Sequence, residues 1–62
     1  MLYKGSFNYY GQLFTLFRNT SNINRAFFYM TRKIALEAKV NHSVVKYYFG
    51  GIKDNYHIEK VR

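Results

Sequence analysis

The fold of this chain depends on the stretch IALEAKVNHSVVKYYF, residues Ile34–Phe49. Its spacing is that of a helix-turn-helix, which needs small residues where two helices cross and an apolar anchor in the turn. Ile34 and Ala35 suit the crossing point, Ala38 suits the tight end of the first helix, and Val40 suits the buried anchor of the turn. The stretch therefore predicts that a helix ends near residue 38.

A second helix is predicted to follow the turn. Asn41 or Ser43 can cap its start, and Gly50 is expected to end it. Its inward residues would be Val45, Tyr48 and Phe49.

A strand over residues 43–49 is the alternative. Five of these residues have high β propensity: Val44, Val45, Tyr47, Tyr48 and Phe49. Gly50-Gly51 would then be a turn and the sheet would have four strands, whereas the motif and the cap at Asn41 favour the helix. We predict the helix and keep the strand as the alternative.

Residues 2–19 predict a β-hairpin, because apolar and polar residues alternate on both sides of Tyr10-Gly11. With Tyr10-Gly11 as the two loop residues, the register pairs Phe7 with Phe14, Gly5 with Leu16 and Ser6 with Thr15. One face then carries Phe7, Tyr9, Phe14 and Leu16. Leu13 and Phe17 fall on the more polar face, where we expect them to be exposed.

A long amphipathic helix is predicted from about residue 22 to residue 38, with Ser21 or Asn22 as its N-cap. Its apolar stripe consists of Ile23, Phe27, Met30 and Ile34, with Ala26 and Ala38 beside them. Asp54-Asn55 is turn-forming, and Tyr56, Ile58 and Val61 predict a last strand. The expected fold class is α+β: a three- or four-stranded antiparallel sheet with the helix on one face.

Composition limits the possible functions. The 62 residues make one small domain (1–62) that is marginally stable alone, so we expect a homo-oligomer or a bound partner. Ten Lys/Arg against three Asp/Glu give a formal charge of +7, which attracts polyanions. The chain has no cysteine and two histidines, and it shows no catalytic motif. We therefore expect no enzyme activity, no metal site and no cofactor.

The outer face of the long helix carries an unusual mixture of residues. Arg25, Arg32 and Lys39 recur every seven residues and line up along it. Large apolar residues flank them in place of ordinary polar ones: Phe28, Tyr29 and Leu36. A solvated charged face is one interpretation, and an interface with nucleic acid or with another protein chain is the other.

The pattern Ile-Ala-x-x-Ala-x-Val over Ile34–Val40, followed by Val45 and Tyr48-Phe49, resembles the helix-turn-helix of tetracycline-repressor-type regulators. The resemblance covers about 20 of the 62 residues. It implies that six residues face the major groove or its phosphates: Asn41, His42, Ser43, Val44, Lys46 and Tyr47.

The chain departs from that family at several points. Lys39 stands where the family has a turn glycine, and a left-handed backbone there costs Lys about 1 kcal/mol. Lys46 replaces a tyrosine, and Ile52 replaces a basic residue after the helix. A hairpin replaces the family's first helix and the large ligand-binding domain is missing, so only the local motif is carried over.

Two functions from different classes follow. The first is a small basic nucleic-acid-binding protein, a homodimer of phage or mobile-element origin and cytoplasmic in its host. Its phosphate contacts would be Arg25, Arg32, Lys39, Lys46 and Lys53, and its base contacts would be His42, Ser43 and Tyr47.

The second function is that of a protein inhibitor or adaptor, anchored by Phe28, Tyr29 and Leu36. A basic subunit of a ribonucleoprotein is a third possibility. No segment is long and apolar enough to span a membrane, so no membrane partner is expected.

Overall fold

The computed structural model describes residues 1–51 and 55–62. Five elements follow one another: strand β1 (Leu2–Tyr9), strand β2 (Gln12–Asn19), helix α1 (Ile23–Ala38), helix α2 (His42–Gly51) and strand β3 (Tyr56–Lys60). The strands form one antiparallel sheet in the order β2-β1-β3. The predicted α+β class is confirmed, in its three-stranded form.

The hairpin has the predicted register. Tyr10 and Gly11 both take positive φ, 51° and 84°, which gives the loop the twist that a two-residue hairpin needs. The Gly11 N–H donates to Asn8 Oδ1 at 2.8 Å. Phe7 lies opposite Phe14 as predicted, and the pairing runs without interruption along both strands. Leu13 and Phe17 are 77% and 55% exposed, which confirms the expectation for the polar face.

Helix α1 starts where its cap predicts: Asn22 Oδ1 accepts the Arg25 N–H at 2.9 Å. Its buried face consists of Ala26, Met30, Thr31, Ile34 and Ala35. The prediction that Ile23 belongs to the core was wrong, since Ile23 is 47% exposed. It lies in the first turn and borders an open hollow with Tyr56 and Ile58 instead of the sealed core.

Helix α1 approaches the central strand at Gly5, which is buried. A Cβ on Gly5 would overlap the Sδ of Met30 and come within 2.6 Å of Phe7 Cε1. The missing side chain therefore allows the fully buried Met30 to pack directly on β1.

The turn between the helices is built on Lys39, whose φ of 58° and ψ of 43° are left-handed. The Lys39 N–H donates to Leu36 O at 3.4 Å, and the Val40 N–H donates to Ala35 O at 3.0 Å. These two bonds form the Schellman motif that ends many helices, usually with glycine at the left-handed position. Val40 was predicted to be a buried anchor, but it is 39% exposed because the motif places it just outside the helix end.

Residues 42–51 are helical, so the strand alternative was wrong. Val45 and Phe49, one turn apart, are both fully buried, and Tyr48 is half-buried. The prediction that Gly50 ends this helix was also wrong, because α2 continues through Gly51. Neither glycine takes a positive φ, which is the conformation through which glycine usually stops a helix.

Strand β3 pairs with β1, so β1 is central and β2 forms one edge. Val61 lies beyond the end of β3 and is 47% exposed, although its N–H donates to Leu2 O at 2.7 Å.

Ile52, Lys53 and Asp54 lie outside the described residues, and with them the predicted turn at Asp54-Asn55. Across residues 1–51 and 55–62, no helix has the length and apolarity to cross a membrane.

Lys39→Gly is expected to increase the free energy of unfolding by about 1 kcal/mol, because glycine takes the left-handed conformation without the steric cost that a Cβ brings. Lys33→Gly is the matched control, since it removes the same side chain and charge from an exposed position inside α1. That variant should lose about 1 kcal/mol. Urea unfolding measures both, and equal destabilisation of the two variants would contradict the left-handed turn.

Candidate nucleic-acid interface

One surface of the helix pair is basic. Arg25 and Arg32 lie exposed on α1, Lys39 lies in the turn, and Lys46 lies on α2. The Lys46 Nζ is 5.3 Å from the centroid of the Phe28 ring, which brings the second helix's cation onto the aromatic residue of the first. We call Arg25, Arg32, Lys39 and Lys46 the basic surface.

A hydrogen bond joins the two helices beneath this surface. Thr31 is fully buried, and its Oγ1 lies 2.8 Å from His42 Nε2. The same hydroxyl donates its single hydrogen to the carbonyl oxygens of Phe27 and Phe28, at 2.9 and 3.1 Å. With its hydrogen directed at these carbonyl oxygens, Oγ1 accepts from the imidazole in the tautomer that carries a proton on Nε2 of His42.

The His42 ring contacts Phe28 as well as Thr31. It meets the Phe28 ring edge-on with centroids 4.7 Å apart. Partial burial lowers the pKa of His42 below its usual 6.5, and the charges of Lys46 and Arg32 lower it further. His42 is therefore a neutral connection between α1 and α2 near pH 7.

The outward face of α2 is opposite Val45 and Phe49. Tyr47 is 87% exposed, and Ser43 and Gly50 are exposed beside it. A Cβ built on Gly50 meets no atom of another described residue within 4 Å, so the packing of residues 1–51 and 55–62 does not require a glycine there. This face presents the ring and hydroxyl of Tyr47, the hydroxyl of Ser43 and the exposed backbone of Gly50.

The tip of the β-hairpin lies along the other flank of α2. The backbone N–H of Tyr10 donates to the Tyr48 hydroxyl at 3.4 Å, and the two rings are 4.6 Å apart. Tyr10 is nevertheless 75% exposed. Between hairpin tip and helix lies a groove of about 760 Å³, lined by Tyr10, Ser43, Val44, Tyr47, Tyr48, Gly50 and Gly51.

A second groove, of about 500 Å³, lies at the start of α1. The guanidinium of Arg18 from β2 lies 3.8 Å from the centroid of the Tyr29 ring. Arg25 and Phe28 line the same groove together with Thr20, Asn22 and Asn24. The basic surface therefore continues from α1 to the end of β2.

The structure brings several of the sequence-predicted residues together. Arg32, Phe28, His42 and Lys46 meet at the helix junction. Leu36 is 68% exposed and lines a shallow hollow on α1 with Tyr29, Arg32 and Lys33. The ring of Tyr29 is covered by Arg18 and is only partly available to a partner. Lys53 lies outside the described residues, and His42 uses Nε2 within the protein.

Sequence reasoning missed Tyr10, Arg18 and Thr31. The only signal for Tyr10 was its place beside Gly11, where an exposed aromatic ring is an unusual turn residue. Arg18 and Thr31 gave no signal, because their partners Tyr29 and His42 are 11 residues away along the chain.

The chain matches no protein-family model, and neither a curated protein nor a solved structure is significantly similar to it. Among the described residues, no group of three or more His, Cys, Asp or Glu side chains is placed to hold a metal ion.

His42 is expected to make stability depend on pH. Its pKa is lower in the folded chain than the unfolded value of about 6.5, so the unfolded chain binds more protons as the pH falls. The part of the free energy of unfolding that depends on this pKa difference is fully present above pH 6.5. It is lost as the pH falls below 6.5 toward the folded-state pKa of His42. Denaturant unfolding between pH 7.5 and 5 should show a larger loss for the wild type than for His42→Gln.

Lys46→Gln provides the control for this assignment. It removes one of the two charges that lower the pKa of His42 but leaves the burial, so the pKa should move part of the way toward 6.5. An NMR titration of the imidazole measures the shift directly. Identical pH profiles for the wild type and His42→Gln would refute the assignment.

Proposed function

We propose that the chain is a small nucleic-acid-binding protein in which α1, the turn and α2 act as a helix-turn-helix. One observation carries the proposal: α2 buries Val45 and Phe49 and exposes Ser43 and Tyr47, with cations beside the exposed face. A recognition helix needs this division, because its inner side holds it on the domain while its outer side enters the groove.

In this proposal the basic surface binds phosphates. Arg25, Arg32, Lys39 and Lys46 engage the backbone on one flank of α2, and Lys53 is proposed as a fifth contact. Ser43 and Tyr47 meet base edges in the major groove, where hydroxyls bind donors and acceptors. His42, also proposed as a contact, has Nε2 engaged with Thr31, so its first role is to hold the start of α2 in place.

The hairpin tip extends this proposed surface. Tyr10 projects beside the outer face of α2, so a duplex seated on α2 would meet the tyrosine ring next to Tyr47. Tyrosine hydroxyls contact phosphate oxygens and sugars in many complexes. We therefore add Tyr10 to the residues proposed for binding.

The protein is proposed to act as a homodimer, since helix-turn-helix proteins read two half-sites and a chain this small gains stability from a partner. The abundance of Asn, Lys, Tyr, Phe and Ile supports an AT-rich source such as a phage or mobile element.

Affinity for double-stranded DNA should fall steeply with salt. Five phosphate contacts predict a slope of log K against log salt of about −4.5 for one bound chain, and of about −9 for a homodimer on two half-sites, because each contact releases condensed counterions. Lys46→Gln should make this slope shallower by about 0.9 for each bound chain. Fluorescence anisotropy on a labelled duplex at several salt concentrations measures both slopes. Absence of DNA or RNA affinity at low salt would refute the proposal.

Gly50→Ala should change stability and affinity in opposite directions. The added Cβ enters open space and favours helix, so the free energy of unfolding should rise by about 0.5 to 1 kcal/mol. The same methyl group occupies the face proposed to meet the duplex, so affinity should fall. Unfolding and anisotropy on one sample test both, and an unchanged affinity would exclude contact at Gly50.

A second candidate function, a protein inhibitor or adaptor, is favoured by one observation. Leu36 is 68% exposed on α1, where it lines a shallow hollow with Tyr29, Arg32 and Lys33, and Phe28 is 50% exposed. Leu36→Ser separates the two functions in the anisotropy experiment, since it removes a protein anchor and no charge. Under the nucleic-acid proposal its affinity and salt slope match the wild type.

A further inference from the structure

The two edges of the sheet differ in how well they are protected. Edge strands usually carry charges, proline or a bulge, or are short, so that they do not pair with another chain. Strand β3 is five residues long and includes Glu59 and Lys60. Strand β2 is eight residues long with an uninterrupted register, and its segment Gln12–Phe17 carries no charge and no proline. The unprotected edge is therefore β2.

The hairpin loop determines which backbone groups β2 presents to its free side. Tyr9 and Gln12 close the two-residue loop as a hydrogen-bonded pair, and such pairs alternate along an antiparallel ladder. The N–H and C=O groups of Leu13, Thr15 and Phe17 consequently point away from β1. No strand within residues 1–51 and 55–62 pairs with that side.

We propose that this edge binds the same edge of a second copy of the chain, in antiparallel orientation with Thr15 on the two-fold axis. In this register Thr15 faces Thr15 of the second copy, and Leu13 faces Phe17 of the second copy. The two-fold axis repeats the pair of Leu13 and Phe17, so there are three hydrogen-bonded pairs. Each exchanges two backbone bonds, which gives about six in all. A two-fold axis makes the contact isologous, as in most homodimers.

The side chains of β2 fit this pairing on both faces of the sheet. Leu13 and Phe17, 77% and 55% exposed, would cover each other across the axis on the open face. On the helix-covered face the half-buried Phe14 and Leu16 would meet Leu16 and Phe14 of the second copy. Apolar pairs directly opposite one another stabilise a sheet, and like charges opposite one another destabilise it.

Charge favours a second copy as the occupant of this edge. The chain carries +7, yet the register places no two like charges opposite each other, because Arg18 faces Gln12 of the second copy. Arg25, Arg32, Lys39 and Lys46 lie on the helices and the turn between them, so the two copies meet mainly along the uncharged segment Gln12–Phe17. An acidic partner would instead find no cation along Gln12–Phe17.

The proposed axis also fixes where the helices lie. A two-fold axis between antiparallel edge strands is perpendicular to the sheet, so both helix pairs lie on the same side of one six-stranded sheet. The two basic surfaces would then face the same side. The dimer does not depend on the proposed nucleic-acid function, and its test below uses no nucleic acid.

Cross-linking tests the register. The chain has no cysteine, so Thr15→Cys introduces a single thiol. Hydrogen-bonded partners have Cα atoms about 5.5 Å apart, within the range of about 4.4 to 6.8 Å that a disulfide spans. Under mild oxidation this variant should form a covalent dimer at least about tenfold faster than a control, because pairing raises the effective concentration of the thiols.

Ser6→Cys is the matched control. Ser6 is exposed on the same face of the sheet and lies opposite Thr15 in the hairpin, but it belongs to the central strand. Equal oxidation rates for the two variants would overturn the proposed edge, since random collision treats the two thiols alike.

Molar mass provides the second measurement. Sedimentation equilibrium of the wild type at concentrations reaching the millimolar range should approach twice the 7.5 kDa chain mass. Thr15→Lys places two like charges on the axis and should shift the equilibrium to monomer, whereas Ser6→Lys should not. Circular dichroism confirms that each variant is folded. A wild type that stays monomeric, or a Ser6→Lys variant that dissociates equally, would refute the proposal.

Discussion

The packing of Phe7 on Phe49 is the contact on which the rest of the structure depends. The two rings are edge-to-face with centroids 5.0 Å apart, and both side chains are at most 1% exposed. Phe7 also stacks on Tyr56 of β3 at 5.3 Å and contacts Phe27 of α1 at 6.4 Å. One ring of the central strand thus joins both helices and an edge strand, and it determines which side of α2 faces outward.

This central ring explains why sequence reasoning succeeded with the hairpin and had more difficulty with α2. The loop residues Tyr10 and Gly11 fix the register locally, so the face that contains Phe7 follows from the chain itself. Residues 43–49 have side chains that favour strand, and their local preference is overruled. A strand would place Val45, Tyr47 and Phe49 on one face, whereas the helix buries Val45 and Phe49 and leaves Tyr47 87% exposed, so packing overrules the intrinsic β propensity.

Other features of the surface could not be read from the sequence, because they depend on pairs that are distant along the chain. The bond between Thr31 and His42 links two helices, and the stacking of Arg18 on Tyr29 links a strand to a helix. Each residue alone fits an ordinary position. Only the fold shows that His42 points back toward α1, which separates it from Ser43, its exposed neighbour in the proposed reading face.

Several features reduce the stability of a chain that has little to spare. Lys39 occupies a left-handed position that glycine fills at lower cost, and Gly50 lies in a helix where alanine would fit. Tyr47 is 87% exposed, so its ring adds almost nothing to the stability of the core. A small core supplies only a few kcal/mol of net stability, so losses of this size are a large fraction of the free energy of unfolding.

The positions of Lys39, Tyr47 and Gly50 support one explanation for all three residues. Lys39 begins the turn into α2, and Tyr47 and Gly50 lie on the exposed side of that helix. The core offers no reason for any of them, since the contacts of Phe7 and Phe49 would be the same with glycine at 39 or alanine at 50. Natural proteins break local rules mainly where function requires it. Lys39, Tyr47 and Gly50 are thus residues that packing does not explain, and all three lie in α2 or the turn before it. This is the part of the chain that is proposed to bind nucleic acid.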